Sequence, residues 1–237
     1  MVQAYTPGMS AKPRAARAEH RWPVLLALVV ALTLYGMLPS GFFPPLRYIV
    51  VGLGVLLLIP LIAINPVRLH RETAWSKWMS RSLSFLLLAA NQVALAHLLV
   101  RLVGESTSNP TELLASAAQV WVTNAIVFAL VFWELDRGGP VTRAHADRAE
   151  LPMADFRFPQ DEDHDAIAEV SARSSAKLGW TPSFVDYLYF SFSNSMAFSP
   201  TDAMPLSHRA KLLMVLESVS GFVILALVIA RAVSMFG

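Results

Sequence analysis

Five long apolar runs divide the chain: residues 22–38, 48–64, 82–100, 113–133 and 212–230. The first two contain no charged residue. The third carries Asn91, Gln92 and His97, the fourth Gln119 and Asn124, and the fifth Glu217. Each run approaches the roughly 20 residues that a helix needs to cross the hydrocarbon of a bilayer. Lipid supplies no partner for backbone N–H and C=O groups, so helices or closed barrels are required, and the runs lack a barrel's alternation. The pattern predicts an all-α, polytopic transmembrane helical bundle with five spans. A sixth apolar stretch, 183–198, is amphipathic and aromatic-rich. At 16 residues it reaches about 24 Å as a helix, short of a bilayer core. It ends in Ser199–Pro200–Thr201–Asp202, with Pro205 beyond. Two readings follow: a re-entrant, pore-helix-like hairpin, or a short sixth span.

The polar stretches set the organisation. Residues 1–21, with Lys12, Arg14, Arg17 and Arg21, read as a mobile basic tail. The apolar run after it is long for a signal peptide and has no small-x-small cleavage site, which favours a retained first helix. Residues 22–135 form a four-helix transmembrane region, 136–181 a polar loop, and 182–237 a channel-like end. The loop holds nine Asp/Glu against six Lys/Arg and reads as solvated. Lys and Arg cluster in the tail and around Arg68, Arg71, Lys77 and Arg81, while the first and third connections have one each, Arg47 and Arg101, at their borders. That alternation predicts a cytoplasmic N-terminus and a cytoplasmic 136–181 loop. Trp75 and Trp78, beside Lys77 and Arg81, suit the headgroup boundary.

Composition removes several classes of function. With no cysteine, a disulfide framework, a thiolate metal site and a cysteine nucleophile are excluded. A net charge of +2 offers no basic face for nucleic acid. Asp161, Asp163 and Asp165 alternate like the start of a calcium loop, but Ala166 and Ala172 stand where that loop needs glycine and glutamate. His145 and His164 lack partners at metal-ligand spacing. No metal, no cofactor and no enzymatic motif is expected: HExxH, GxSxG, phosphate loop and dinucleotide fingerprint are all missing.

The region 180–237 resembles the pore domain of tetrameric potassium channels. Laid down without a gap, the filter of that family falls on Ala197, Phe198, Ser199, Pro200, Thr201 and Asp202. Tyr189 to Phe192 then ends the pore helix, while Glu217 and the hinge glycine Gly221 lie in the inner helix. The resemblance implies a homotetramer around a cation path. The filter pattern is degenerate. Ser199 and Thr201 replace the glycines that turn carbonyls inward, and Pro200 fixes φ near −65°. A potassium-selective filter is therefore not expected. Hydroxyl and carboxylate oxygens of Ser199, Thr201 and Asp202 would suit weakly selective passage of monovalent cations. The alternative is a capped turn in which Asp202 or Ser207 satisfies backbone N–H groups at the start of the last helix.

The chain also resembles an uncharacterised bacterial multi-pass inner-membrane protein family, through the segments WELDRGGP (Trp133–Pro140), DFxFPQ (Asp155–Gln160) and DYLYFSFxNxxAFSPTD (Asp186–Asp202). That resemblance implies residence in a bacterial inner membrane and a helical bundle, without an activity. The two resemblances disagree on orientation. Potassium channels end their inner helix in the cytoplasm, whereas five spans from a cytoplasmic N-terminus place this C-terminus outside. The partners expected are the lipid bilayer, further copies of the chain and monovalent cations. A non-conducting scaffold or accessory subunit is the other functional class. Among intramembrane polar residues, Glu217 is the carboxylate expected inside a span, and His97 is read first as a packing group and second as a proton or metal site. Asn91, Gln92, His97 and Asn124 are expected to bond between the third and fourth helices, and Glu134 and Asp136 to lie at an interface.

Overall fold

The computed structural model describes residues 18–39, 44–69, 73–104, 110–162, 165–196 and 203–234. Nine α-helices follow one another among these residues: α1 (Trp22–Gly36), α2 (Pro44–Ile64), α3 (Ala74–Gly104), α4 (Pro110–Leu135), α5 (Pro140–His145), α6 (Ala168–Ser171), α7 (Ser175–Leu178), α8 (Phe184–Ser195) and α9 (His208–Ser234). Among the described residues, strands are limited to a two-residue antiparallel ladder, β1 (Phe156–Arg157) with β2 (Met204–Pro205). The protein is all-α. Four helices, α2, α3, α4 and α9, are long and apolar enough to cross a membrane. The fifth expected span, α1, has 15 residues and rises only about 22 Å.

Helix α4 is the centre of the bundle. From Ala125 to Trp133 every residue is buried, because α1, α3, α8 and α9 pack around it. A helix that is apolar on all sides belongs in such a position. The outer helices α2 and α9 instead present apolar side chains outward, among them Leu53, Leu56 and Ile59 on α2 and Leu212, Val219 and Phe222 on α9. In water such faces would be costly; against lipid they are matched.

Local sequence fixes where the helices start. Pro23 occupies the first turn of α1, where its missing N–H costs nothing. Thr73 and Ser76 cap α3 reciprocally, each side-chain oxygen accepting the other's backbone N–H. Asp186 accepts the backbone N–H and the hydroxyl of Ser183 at the head of α8. α4 ends at Leu135; two residues on, Arg137 has a left-handed φ of 51°, followed by Gly138 and Gly139 at positive φ and Pro140 opening α5. A Cβ on Gly138 would stand 3.0 Å from Pro152 Cγ. The WELDRGGP segment is thus a sharp helix-to-helix corner.

The stretch read as a solvated acidic loop carries a folded cap over this corner. Phe156 and Phe158 are buried, and Phe156 packs on Phe132, Tyr187 and Phe190 with ring centroids 5.1, 6.3 and 5.0 Å away. Residues 18–21, in the stretch read as a tail, also pack. Arg21 donates through Nη1 to the carbonyls of Leu61 and Asn65 at the end of α2. There a cation meets the last carbonyls and the negative dipole end of a helix.

Candidate functional site

Two polar constellations lie inside the bundle, one under the cap and one near mid-depth. The first is built on Asp136, at the turn that closes α4. It is fully buried. Its Oδ1 accepts the backbone N–H groups of Asp155 at 2.7 Å and Phe156 at 3.4 Å. Its Oδ2 accepts from Arg137 at 3.0 Å and from the Tyr187 hydroxyl of α8. Arg137 continues to Asp161 at 2.6 Å. Asp155 in turn accepts from Arg209 and Ser207 at the start of α9. Arg143 of α5 donates to the carbonyls of Trp133 and Asp136, both at 3.0 Å, and its guanidinium lies 5.1 Å from the Tyr187 ring centroid.

Glu19 closes this layer from the other side. Its carboxylate accepts the indole N–H of Trp133 at 3.0 Å and the backbone N–H of Phe184, the first residue of α8. It lies 3.9 Å from Arg143 Nη2. Burial pushes the Glu19 carboxyl above its ordinary value, and the Arg143 charge and the two N–H donors oppose that rise. Glu134 and Asp136 were expected at an interface, yet both are buried. The cap covers Asp136, with its Phe156 and the Tyr187 of α8 coming from 20 and 51 residues further along the chain, while Glu134 meets Ser80 of α3.

The second constellation centres on Glu217. No part of this residue is exposed. Ser191 and Asn194 of α8 hydrogen-bond its two carboxyl oxygens. Ser191 also donates to the Ala125 carbonyl of α4 at 2.6 Å, and Asn194 to the Met214 carbonyl at 3.1 Å. Four residues further along α9, Gly221 lets the helices touch. A Cβ there would lie 2.2 Å from the Ser195 carbonyl oxygen. Across α4, Asn124 Oδ1 accepts from Asn91 at 2.8 Å and Gln92 at 3.3 Å, and Ser220 of α9 donates to Gln92 at 3.3 Å. Asn91, Gln92 and Asn124 thus make the bonds expected of them between the third and fourth helices, extended to the last one.

Of the predicted site residues, Glu217 and Gly221 are therefore brought together with α8. Ala197, Phe198, Ser199, Pro200, Thr201 and Asp202 lie outside the described residues. Among the described residues no group of His, Asp and Glu is arranged to hold a metal ion. Sequence reasoning missed Asp136, Tyr187, Asp155 and Glu19. The available signal was that each of the three motif segments sets an acidic residue next to an aromatic one, Trp133–Glu134, Asp155–Phe156 and Asp186–Tyr187, a composition suited to a shared buried layer.

The parts of the site share one end of the bundle. The start of α8 meets Glu19 and Asp136 at the C-terminal end of α4. The start of α9 meets Leu135 and Asp155 at that same end. Ser195, the last residue of α8, lies beside Gly221, 13 residues or about 20 Å along α9. Compared with protein-family models, curated proteins and solved structures, the chain matches none. Its class rests on its own architecture: an all-α membrane protein with four helices suited to span.

Proposed function

We propose that residues 184–207 form a re-entrant hairpin and that the protein is channel-like, passing monovalent cations with weak selectivity as a homotetramer. The observation that carries this reading is the placement of α8 and α9. Both begin at the C-terminal end of α4, run side by side in the same direction, and α8 stops about halfway along α9. The eight residues 196–203 have reach enough, about 26 Å when extended, to return over the roughly 20 Å to the start of α9. A descending short helix, an ascending segment and a long descending helix is the arrangement of the pore domain that the sequence resembles. Irregular backbone at membrane depth needs protein or water to satisfy it, which a cavity between copies would provide. Lys and Arg at the capped end, including Arg21, Arg68, Lys77, Arg143 and Arg209, orient that end to the cytoplasm of a bacterial inner membrane.

The second reading, a non-conducting scaffold or accessory subunit, is favoured by one observation. The polar groups of α9 at mid-depth, Glu217 and Ser220, are bonded inside a single copy, while its outward face is apolar. Two experiments decide. The chain has no cysteine, so single-cysteine variants at the outward-facing Met37, Met153 and Met204 report sidedness directly. M153C and M204C are expected to label from one side of the membrane and M37C from the other. Labelling of M204C together with M37C would mean that the segment crosses, and the hairpin falls. Purified protein at tetramer mass that releases potassium or sodium from liposomes, with release lost in D202A, supports conduction. A monodisperse monomer without release supports the scaffold.

A further inference from the structure

The hydroxyl of Ser191 faces two oxygens, the carbonyl of Ala125 at 2.6 Å and Oε1 of Glu217. Serine has one proton to donate. Against an ionised Glu217 both neighbours are acceptors, and one contact would set lone pair against lone pair in a buried place. The other carboxyl oxygen removes any freedom to rearrange. Asn194 Nδ2 lies 3.1 Å from the Met214 carbonyl and 2.6 Å from Glu217 Oε2. A carbonyl can only accept, so the amide nitrogen must point this way, and Oε2 must accept. One proton on Oε1 satisfies every group: Glu217 donates to Ser191, Ser191 donates to Ala125, and Asn194 donates to both Met214 and Glu217.

The surroundings agree. Helix α8 offers Ser191 and Asn194, α4 the Ala125 carbonyl, α9 its own Ser218 and Ser220, and α3 Gln92 through Ser220. All are uncharged. Among the described residues no charged side chain acts on Glu217. A fully enclosed carboxylate with only neutral partners is strongly disfavoured against its neutral acid.

We propose that Glu217 is a proton-binding site: it holds a proton at neutral pH, and that proton joins α9 to α8 and α4 through Ser191. Loss of the proton breaks the chain of bonds at mid-depth and loosens α8 from α9. The site stands whether or not the hairpin conducts.

Infrared difference spectra of the full-length protein in detergent at pH 7 test this. The wild type minus E217Q spectrum is expected to contain the C=O stretch of a carboxylic acid and no matching carboxylate bands. E217Q is expected to keep the fold, because a glutamine amide donates to Ser191 and accepts from Asn194 as the neutral acid does. S191A is expected to move the same stretch to higher frequency by removing its acceptor, a readout that does not depend on E217Q folding. Carboxylate bands in the first spectrum, or an unmoved acid stretch in S191A, overturn the proposal. A third measurement separates a proton from a metal ion. Alkaline loss of thermal stability should be equal in sodium, potassium and N-methylglucamine chlorides of matched ionic strength. Protection by either alkali ion would assign the site to that ion and overturn the proton.

Discussion

Gly221 of α9 stands against the carbonyl oxygen of Ser195, the last residue of α8, so closely that a Cβ would lie 2.2 Å from it. The obstacle is backbone, with backbone carbon atoms of Ser195 also at 3.0 and 3.2 Å, so no side-chain rotation relieves it. The contact gives Gly221 a role in clearance, within a helix that runs unbroken from His208 to Ser234.

Replacing Gly221 by alanine brings two opposed effects. Alanine improves helix propensity by roughly 0.5–1 kcal/mol. Overpacking at a close contact costs about 1–3 kcal/mol, and it should dominate here. G221A is expected to melt at a lower temperature than the wild type in the same detergent. G52A in α2 is the matched control, because nothing lies within 4 Å of a Cβ there. It should melt at or above the wild-type temperature. Equal shifts in the two variants would mean that α8 and α9 do not touch as described.

Asp136 is expected to be the most sensitive single position in the cap. In D136N the single amide oxygen can face either the N–H groups of Asp155 and Phe156 or the donors of Arg137 and Tyr187, and the amide N–H2 is then set against the other pair. Breaking one partner of a buried ion pair costs about 3–5 kcal/mol. Arg137 keeps Asp161, which places D136N near the lower end of that range. Y187F removes one hydrogen bond to a charged group and should cost about 1.5–3 kcal/mol. Thermal melts that rank D136N below Y187F, and both below the wild type, support the hub. A wild-type melt for D136N would remove it.

The apolar runs made the bundle legible because each spanning helix carries its own length and composition in consecutive residues. Glu217 was legible for a related reason: a lone carboxylate inside such a run has no lipid-facing option. Its partners were not, since nothing in the spacing of Ser191 and Asn194 says that α8 lies beside α9. The cap was legible only as polarity. Asp136 beside Arg137 reads as a pair at a water boundary until Phe156 and Tyr187, far along the chain, are known to cover it. Arg21 reads as tail charge until the end of α2, some 40 residues on, supplies its carbonyls. Trp75 and Trp78, expected at the headgroup boundary, are exposed.

Glu19 should give the cap a pH dependence of definite sign. Its folded-state pKa is raised above the ordinary 4.5, chiefly by burial. An acid with a raised folded-state value contributes stability that is fully present below its unfolded value and is lost as pH rises through the folded one. From this group alone, the wild type should therefore lose stability as pH rises from below 4.5, and E19Q should not. The neutral amide still offers an oxygen to one of the two N–H donors, Trp133 Nε1 and Phe184 N, but leaves the buried Arg143 without its 3.9 Å counter-charge. Protonated Glu19 leaves Arg143 without that counter-charge as well, so at low pH the two proteins differ only by the exchange of carboxylic acid for amide, and the proton at Glu19 determines the slope. Melting curves of both proteins across the acid to neutral range are expected to differ in slope, with the wild type falling relative to E19Q toward neutral pH. Parallel curves, or a wild type that gains on E19Q toward neutral pH, would show that Arg143 outweighs burial and holds Glu19 ionised.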